Sequence, residues 1–222
     1  MKIMLWGGRS KARIIIEMIS ESIYSNSKII GIFDKTIDKI PFKTRIQLYS
    51  DNLGFDFLCS NATHYIVCIG GEYGYARFNT SEELKKKGLI PLDLISAHGL
   101  LDKLDNYGEG IQVMPGAIVH KFASVGRQCI FNTNSTVDHE CQIGDGVHIM
   151  GGASVAGRVK IGDFSTIGTN ATVLPNLKIG TNVYIGAGAV LTKDVEDNLI
   201  MAGVPAKPVG KNELSFDASM FE

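Results

Sequence analysis

The chain has 222 residues, 45% of them hydrophobic and 20% charged, with a formal net charge of −1 and a mean hydropathy of +0.10. That size and balance suit an ordinary water-soluble protein with a sizeable core, and the near-neutral charge argues against a nucleic-acid or membrane-surface partner. No stretch approaches the roughly 18 apolar residues of a membrane span, and the opening Ile3–Trp6 run is too short for a signal peptide, so a cytoplasmic location is the expectation. The four cysteines (Cys59, Cys68, Cys129, Cys141) form no CxxC pair and read as reduced thiols rather than as a metal site.

In chain order, residues 2–6 read as a strand that runs into Gly7-Gly8-Arg9-Ser10-Lys11, and a helix follows from about Ala12 to Ser22 with Ile15, Ile16 and Ile19 on one side. A second strand, 29–33, ends at Asp34, and a third, 65–69, ends at Gly70-Gly71. Ser81–Lys87 is a short helix whose lysines suit a C-terminal turn, and 89–95 returns as a strand. Alternating β and α elements predict a small parallel, Rossmann-like sheet over residues 1–95. Ligands of such sheets gather at the carboxyl ends of the strands, where Gly7, Gly8, Asp34, Gly70 and Gly71 fall. The full G-x-G-x-x-G fingerprint is absent, so these glycines read either as tight βα turns or as phosphate-facing turns. Arg9 and Lys11 favour a phosphate-bearing ligand.

Beyond residue 95 a six-residue period takes over. Stepping by six from Val113 to Leu191 lands on an apolar residue every time, and two places before it the side chain is usually small, as at Ala117, Cys129, Ser135, Cys141 and Ala171. This period fits neither a long helix nor a long strand; it is the pattern of short strands joined by tight turns and stacked as a β-helix. Glycines often follow the aliphatic position, where they are expected to relieve the backbone. The repeat is assigned to 96–210, closed by Gly203–Pro208 with two prolines that cannot donate to a strand ladder. Residues 211–222 are a tail, either a short helix or frayed.

The chemistry-bearing residues concentrate at 132–148. His139 lies two places past an inward aliphatic and so faces outward, with the Glu140 carboxylate beside it able to orient the imidazole. His148 also points out of the coil, half an eighteen-residue turn from His139, so the two meet only across a subunit groove or through curvature of the turn. His64, His98 and His120 lack such company. Cys129 and Cys141 fall at the small inward position, which makes a covalent acyl-cysteine route unattractive.

The stretch N-T-N-S-T-V-D-H-E-C-Q-I-G-D-G-V-H-I (132–149), with A-G-R-V-K-I-G (156–162), V-L-P-N-L-K-I-G (173–180) and G-V-P-A-K (203–207), resembles the bacterial sugar acyltransferases of the NeuD/PglD type over essentially the whole chain. The resemblance implies a left-handed β-helix of hexapeptide repeats, a homotrimer, acetyl-CoA as acyl donor in grooves between neighbouring helices, and a nucleotide-linked (UDP, dTDP or GDP) 4-amino sugar as acceptor in bacterial glycan synthesis. By the same resemblance His139 is the catalytic base, Glu140 the carboxylate bonded to it, Asn132 a polar active-site residue, His148 the histidine near the acetyl group and sugar, and Gly157 the glycine whose N–H faces the thioester oxygen. Asp34 and Gly70-Gly71 match positions around the nucleotide. Family members usually carry G-x-x-G-H-G where this chain has Gly7-Gly8-Arg9-Ser10-Lys11-Ala12, which alters the phosphate contacts. Competing expectations are O-acetylation of a sugar hydroxyl, a metal-dependent hydratase using His120, His139 and His148, and a sugar-nucleotide scaffold without turnover.

Overall fold

A computed structural model describes residues 1–221. The first 91 residues build a five-stranded, all-parallel sheet from β1 (Lys2–Trp6), β2 (Lys28–Phe33), β3 (Leu48–Tyr49), β4 (His64–Val67) and β5 (Ile90–Pro91), in the order β3-β2-β1-β4-β5. Helices α1 (Ser10–Ser20), α2 (Asn52–Asn61) and α3 (Gly74–Lys86) connect the strands. The strand order reverses between β1 and β4, so the crevice at their carboxyl ends is the expected ligand position of this topology. Strand alternation splits the core: Ile3 and Leu5 pack with α1, while Met4 and Trp6 pack with Phe33, Phe55 and Leu84 on the other face. β3 and α2 were not foreseen, and α3 begins seven residues before the expected Ser81.

The expected 89–95 strand is two separate pieces. Ile90–Pro91 closes the first sheet, whereas Leu94–Ile95 already pairs with Gln112–Val113 in the coiled part. From there two-residue strands repeat every six residues up to Val190–Leu191, and each as far as Thr172–Val173 bonds in parallel to the strand eighteen residues on. They form three faces, anchored by Ile130–Phe131, Thr136–Val137 and Gln142–Ile143 respectively. This is a parallel β-helix, and its inner column of aliphatic and small side chains, Val113 through Leu191, is buried apart from the partly buried Leu177. Cys129 and Cys141 lie in that column, fully buried, where burial pushes their thiols up to about 12 and about 11. The repeat continues backwards through Ile95 and Leu101, earlier than Val113. It ends in an antiparallel pairing of Leu199–Ala202 with Lys207–Lys211, Pro208 lying in the outer strand.

The left-handed backbone position is not the glycine after the aliphatic residue. It lies three places on, as at Gln128 (φ 56°), Asn134 (φ 57°), Glu140 (φ 58°) and Gly146 (φ 66°). The glycines directly after the aliphatic answer another constraint, the closeness of the next coil. A Cβ at Gly162 would lie 2.6 Å from Gly180 C and Thr181 N, so only hydrogen fits.

The sheet domain packs on the first face. Leu94, Met114 and Ile130 join the cluster of Ile3, Leu5 and Ile15, and Gln112 Nε2 donates to Val67 O at 2.9 Å. The tail returns to the sheet domain as a 3₁₀ turn, Ala218–Phe221, and Phe221 stacks on Trp6 with centroids 4.6 Å apart and an interplanar angle of 11°. No helix among the described residues is long and apolar enough to cross a membrane.

Phe221→Ala is expected to shift the emission of Trp6, the one tryptophan, to longer wavelength and to lower stability by about 1–3 kcal/mol. Unchanged emission and an unchanged denaturation midpoint would show that the tail does not dock.

Candidate functional site

The chemistry-bearing residues gather in three groups. The first sits where the second face turns into the third. His139 Nδ1 lies 2.8 Å from Glu140 Oε2, which makes Nδ1 the protonated nitrogen and leaves the Nε2 lone pair outward. Both side chains are about half exposed, at 43% and 51%. Glu140 occupies the left-handed turn position, and His139 N is held by Asp138 Oδ1 at 2.7 Å. Gly157, one coil on, lies directly beside the ring: a Cβ there would sit 2.7 Å from His139 Nε2 and 2.9 Å from Cε1. A side chain at 157 would push the imidazole aside, so the glycine and the histidine form one unit.

The second group lies at the first face, against the sheet domain. His148, 3% exposed, points out of the coil as expected but into the domain interface rather than into solvent. Its Nδ1 donates to Gly71 O at 2.8 Å, and Nε2 lies 3.4 Å from Asn132 Nδ2. Burial, then the nearby Arg77 charge, lower its pKa to about 3, with Lys11 pushing the same way against the Gly71 hydrogen bond. The ring is therefore neutral at physiological pH, with Nε2 as an acceptor.

The third group rims the carboxyl ends of β1 and β4. Gly7 (φ 99°) and Gly8 form the turn, but their N–H groups are already committed, to Phe33 O at 2.8 Å and to Asp34 Oδ2 at 2.8 Å. Asp34 Oδ1 accepts from Thr36 N at 2.9 Å and Thr36 Oγ1 at 2.6 Å, so the buried carboxylate braces the turn. Arg9 reaches Thr36 Oγ1 at 3.3 Å. The donors left open at this turn are the N–H groups of Arg9, Ser10 and Lys11, at the start of α1, not those of the glycines. A Cβ at Gly70 would lie 3.4 Å from Lys11 Cδ, so the lysine lies across the second glycine turn. Desolvation, then Arg77, lower its pKa to about 7.

No hydrogen bond links the His139 group to the Asn132–His148 group. In chain order they fall at opposite edges of the second face, Asn132 entering it and His139 leaving it. Sequence reasoning missed two contributors, Arg77 and Thr36. The spacing of the buried α3 residues Gly74, Arg77, Ser81 and Leu84 is helical, but three of the four are not apolar and give no hydrophobic stripe.

The family described as bacterial transferase hexapeptide (six repeats) matches residues 140–174 and 158–193. No curated protein sequence matches the chain. Solved structures do. The acetyltransferase domain of PglB from Neisseria gonorrhoeae is 25% identical with a TM-score of 0.81, covering 94% of this chain and 99% of that one. A histidine-to-asparagine variant of perosamine N-acetyltransferase from Caulobacter crescentus, in complex with CoA and GDP-perosamine, is 25% identical with a TM-score of 0.83, covering 95% and 98%. WeeI from Acinetobacter baumannii is 25% identical with a TM-score of 0.77, covering 94% and 100%.

Below pH 6.5 the unfolded chain binds a proton at His148 that the folded chain refuses, and Lys11 behaves alike between about 7 and 10.5. The unfolded state thus holds more protons in both windows, and each group makes stability rise with pH, by at most about 1.4 kcal/mol per unit. The denaturation midpoint of the ligand-free protein is expected to fall from pH 6.5 to 5, and to fall less steeply in His148→Asn. Parallel pH curves for the two proteins would show that His148 is not held neutral.

Proposed function

We propose that this chain, a member of the hexapeptide-repeat transferase superfamily, is an acyltransferase that moves the acetyl group of acetyl-CoA to the amine of a nucleotide-linked 4-amino sugar. The observation that carries the reading is the His139–Glu140 pair: Nδ1 is tied to a carboxylate at 2.8 Å and Nε2 is free beside Gly157. Such an imidazole can take a proton from an attacking nucleophile while the carboxylate offsets the charge it gains. The structural relatives support the donor and acceptor classes, since one is an acetyltransferase in complex with acetyl coenzyme A and another holds CoA with GDP-perosamine.

In the proposed reaction the sugar nitrogen attacks the thioester carbon. A C–N bond forms, His139 Nε2 accepts the amine proton, and the Gly157 N–H stabilises the developing oxyanion. The C–S bond then breaks, and the proton passes from the imidazole to the departing CoA sulfur. The buried thiols of Cys129 and Cys141, pushed up by desolvation, argue against a covalent acyl-cysteine. The nucleotide is assigned to the β1/β4 crevice, its phosphates meeting the Ser10 and Lys11 N–H groups at the start of α1 and the Lys11 side chain. Asp34 and the two glycine pairs shape that pocket, with Arg9 at its rim.

Assembly as a homotrimer is part of the reading. The second face carries an uncharged outward column, Leu100, Ile118, Thr136, Ser154, Thr172 and Val190, whereas the third face presents Lys160 and Lys178. Packing copies along the uncharged face brings the His139 edge of one chain to the Asn132–His148 edge of the next and completes the site.

His139→Ala is expected to lower kcat about 10²–10⁴-fold with assembly intact, measured as CoA release with UDP-, dTDP- and GDP-linked 4-amino sugars and, in parallel, hydroxyl sugars. Unchanged turnover removes His139 from the chemistry, and turnover only with hydroxyl sugars makes the enzyme an O-acetyltransferase. Co-expressing His139→Ala with His148→Asn is expected to restore activity at about a quarter of the sites by random mixing in a cyclic trimer. Activity no greater than the sum of the two separate variants would place the whole site within one chain.

A further inference from the structure

Arg77 is fully buried and pairs with no carboxylate among the described residues. Isolated burial of a guanidinium is costly, so the groups it meets must hold it by hydrogen bonding. They are three backbone carbonyls from three parts of the chain. Nε donates to Gln128 O at 2.7 Å, Nη2 to Gly146 O at 2.7 Å and Nη1 to Ile69 O at 3.3 Å. Gln128 and Gly146 are equivalent turn residues of successive coils, both left-handed. Ile69 leads directly into Gly70-Gly71.

These contacts close a ring. Gly146 stands two residues before His148, His148 Nδ1 donates to Gly71 O at 2.8 Å, and Gly71 stands two residues after Ile69. Arg77 joins the two ends. The helix that carries it cannot drift, because α3 begins at Gly74 against the Gly146 carbonyl with no room for a Cβ. Tyr75 and Phe78 also pack edge-on against Phe164 of the next coil, at 5.1 and 5.6 Å. Neutral carbonyls engage each guanidinium nitrogen, three of its five N–H donors, but do not cancel the charge, which bears on His148 and Cys129 from the coil and on Lys11 from α1.

We propose that Arg77 is a positioning residue for the transfer reaction: it clamps the Gly70-Gly71 turn of the sheet domain to the coil bearing His148, so that an amino sugar held by its nucleotide at the one is presented to the acetyl group at the other. The role rests on the acyltransferase reading above, because it gives the two clamped parts their tasks. Lysine cannot replace the arginine in full, since a point charge with three rotating donors does not match three carbonyls spread around a planar fork.

The test uses the full chain with Arg77→Met and Arg77→Lys, steady-state kinetics with acetyl-CoA and UDP-, dTDP- or GDP-linked 4-amino sugars, and amide exchange at residues 70–72 together with NMR titration of the His148 ring. Expected for Arg77→Met is a loss of about 10²-fold in kcat/KM for the sugar nucleotide, the scale for a misplacement near 1 Å. The KM for acetyl-CoA should stay unchanged, exchange at 70–72 should quicken, and the His148 pKa should rise. Arg77→Lys should recover part of each. A lower melting temperature with unchanged kinetic constants, exchange and titration would make Arg77 merely structural and overturn the proposal. If Arg77→Met does not fold, Arg77→Lys decides by the same criteria. If the unmodified protein turns over none of the sugars, the acyltransferase reading fails by itself. The exchange and titration data then still judge the clamp, and wild-type values in the variants reject it.

Discussion

The eighteen-residue register between coils is the constraint on which the rest of the structure depends. Each strand residue bonds its backbone to the coil above, Gln112 N to Cys129 O, Ile130 N to Val147 O and His148 N to Ser165 O, all within 2.9–3.0 Å. Because every strand from Leu94 to Leu191 is two residues long and every turn between them four, one slip would move the whole aliphatic column from inside to outside. The register therefore converts sequence position into place on a prism. Residues separated by eighteen share an edge, as do His139 and Gly157, and residues separated by nine lie on different sides of the coil. The His139–Gly157 contact is a direct product of this arithmetic.

Against that rigid prism the sheet domain is docked by polar groups as much as by apolar ones. Ile130, Met114 and Leu94 supply the hydrophobic contact, but the angle is set by directed bonds: Arg77 to three carbonyls, Gln112 to Val67 O, Gln128 Nε2 to Ser81 Oγ at 2.8 Å, and His148 to Gly71 O. Apolar packing alone tolerates sliding, whereas hydrogen bonds to fixed carbonyls do not. A consequence is electrostatic. Arg77, Lys11 and His148 crowd one region with Asp34 committed to the Gly8 turn, so the β1/β4 crevice is short of negative charge. The diphosphate of the proposed sugar nucleotide would supply it, giving the charged form of the desolvated Lys11 amine a partner.

The β-helix was legible in the sequence because its core is one column with one period, and the aliphatic residues from Val113 to Leu191 announce it. Its onset was less legible: Ile95, Leu101 and Tyr107 keep the phase, but Tyr107 is exposed and the small residues between coils are missing there. The turn chemistry was misread for a related reason. Glycine was taken as the mark of the strained position, yet that position accepts Gln128, Asn134, Glu140 and Phe164, while glycine was required where the next coil crowds the backbone. His139 and Glu140 could be picked out because both belong to one local motif. The environment of His148 could not, since it is made by Gly71, 77 residues away. Arg77 was hidden for the same reason, in a helix whose buried face carries one apolar side chain, Leu84, beside Gly74, Arg77, Thr80 and Ser81.

The geometry also bears on the proposed assembly. The proposed base lies half exposed at one edge of the second face, and the neutral His148, tied to the Gly70-Gly71 turn, lies at the other. No rearrangement within the prism can join them, because the inner column of Val137 and Val155 is fully buried and the strands between the edges are bonded above and below. In the proposed trimer a second copy would lie along the uncharged face and bring the two edges together. On this view the flat face with its column of Ile118, Thr136, Ser154 and Thr172 is part of the catalytic apparatus. In the proposed assembly its lack of charge would serve the chemistry as well as the packing, because a dry contact between copies would exclude the water that competes with an amine for the thioester.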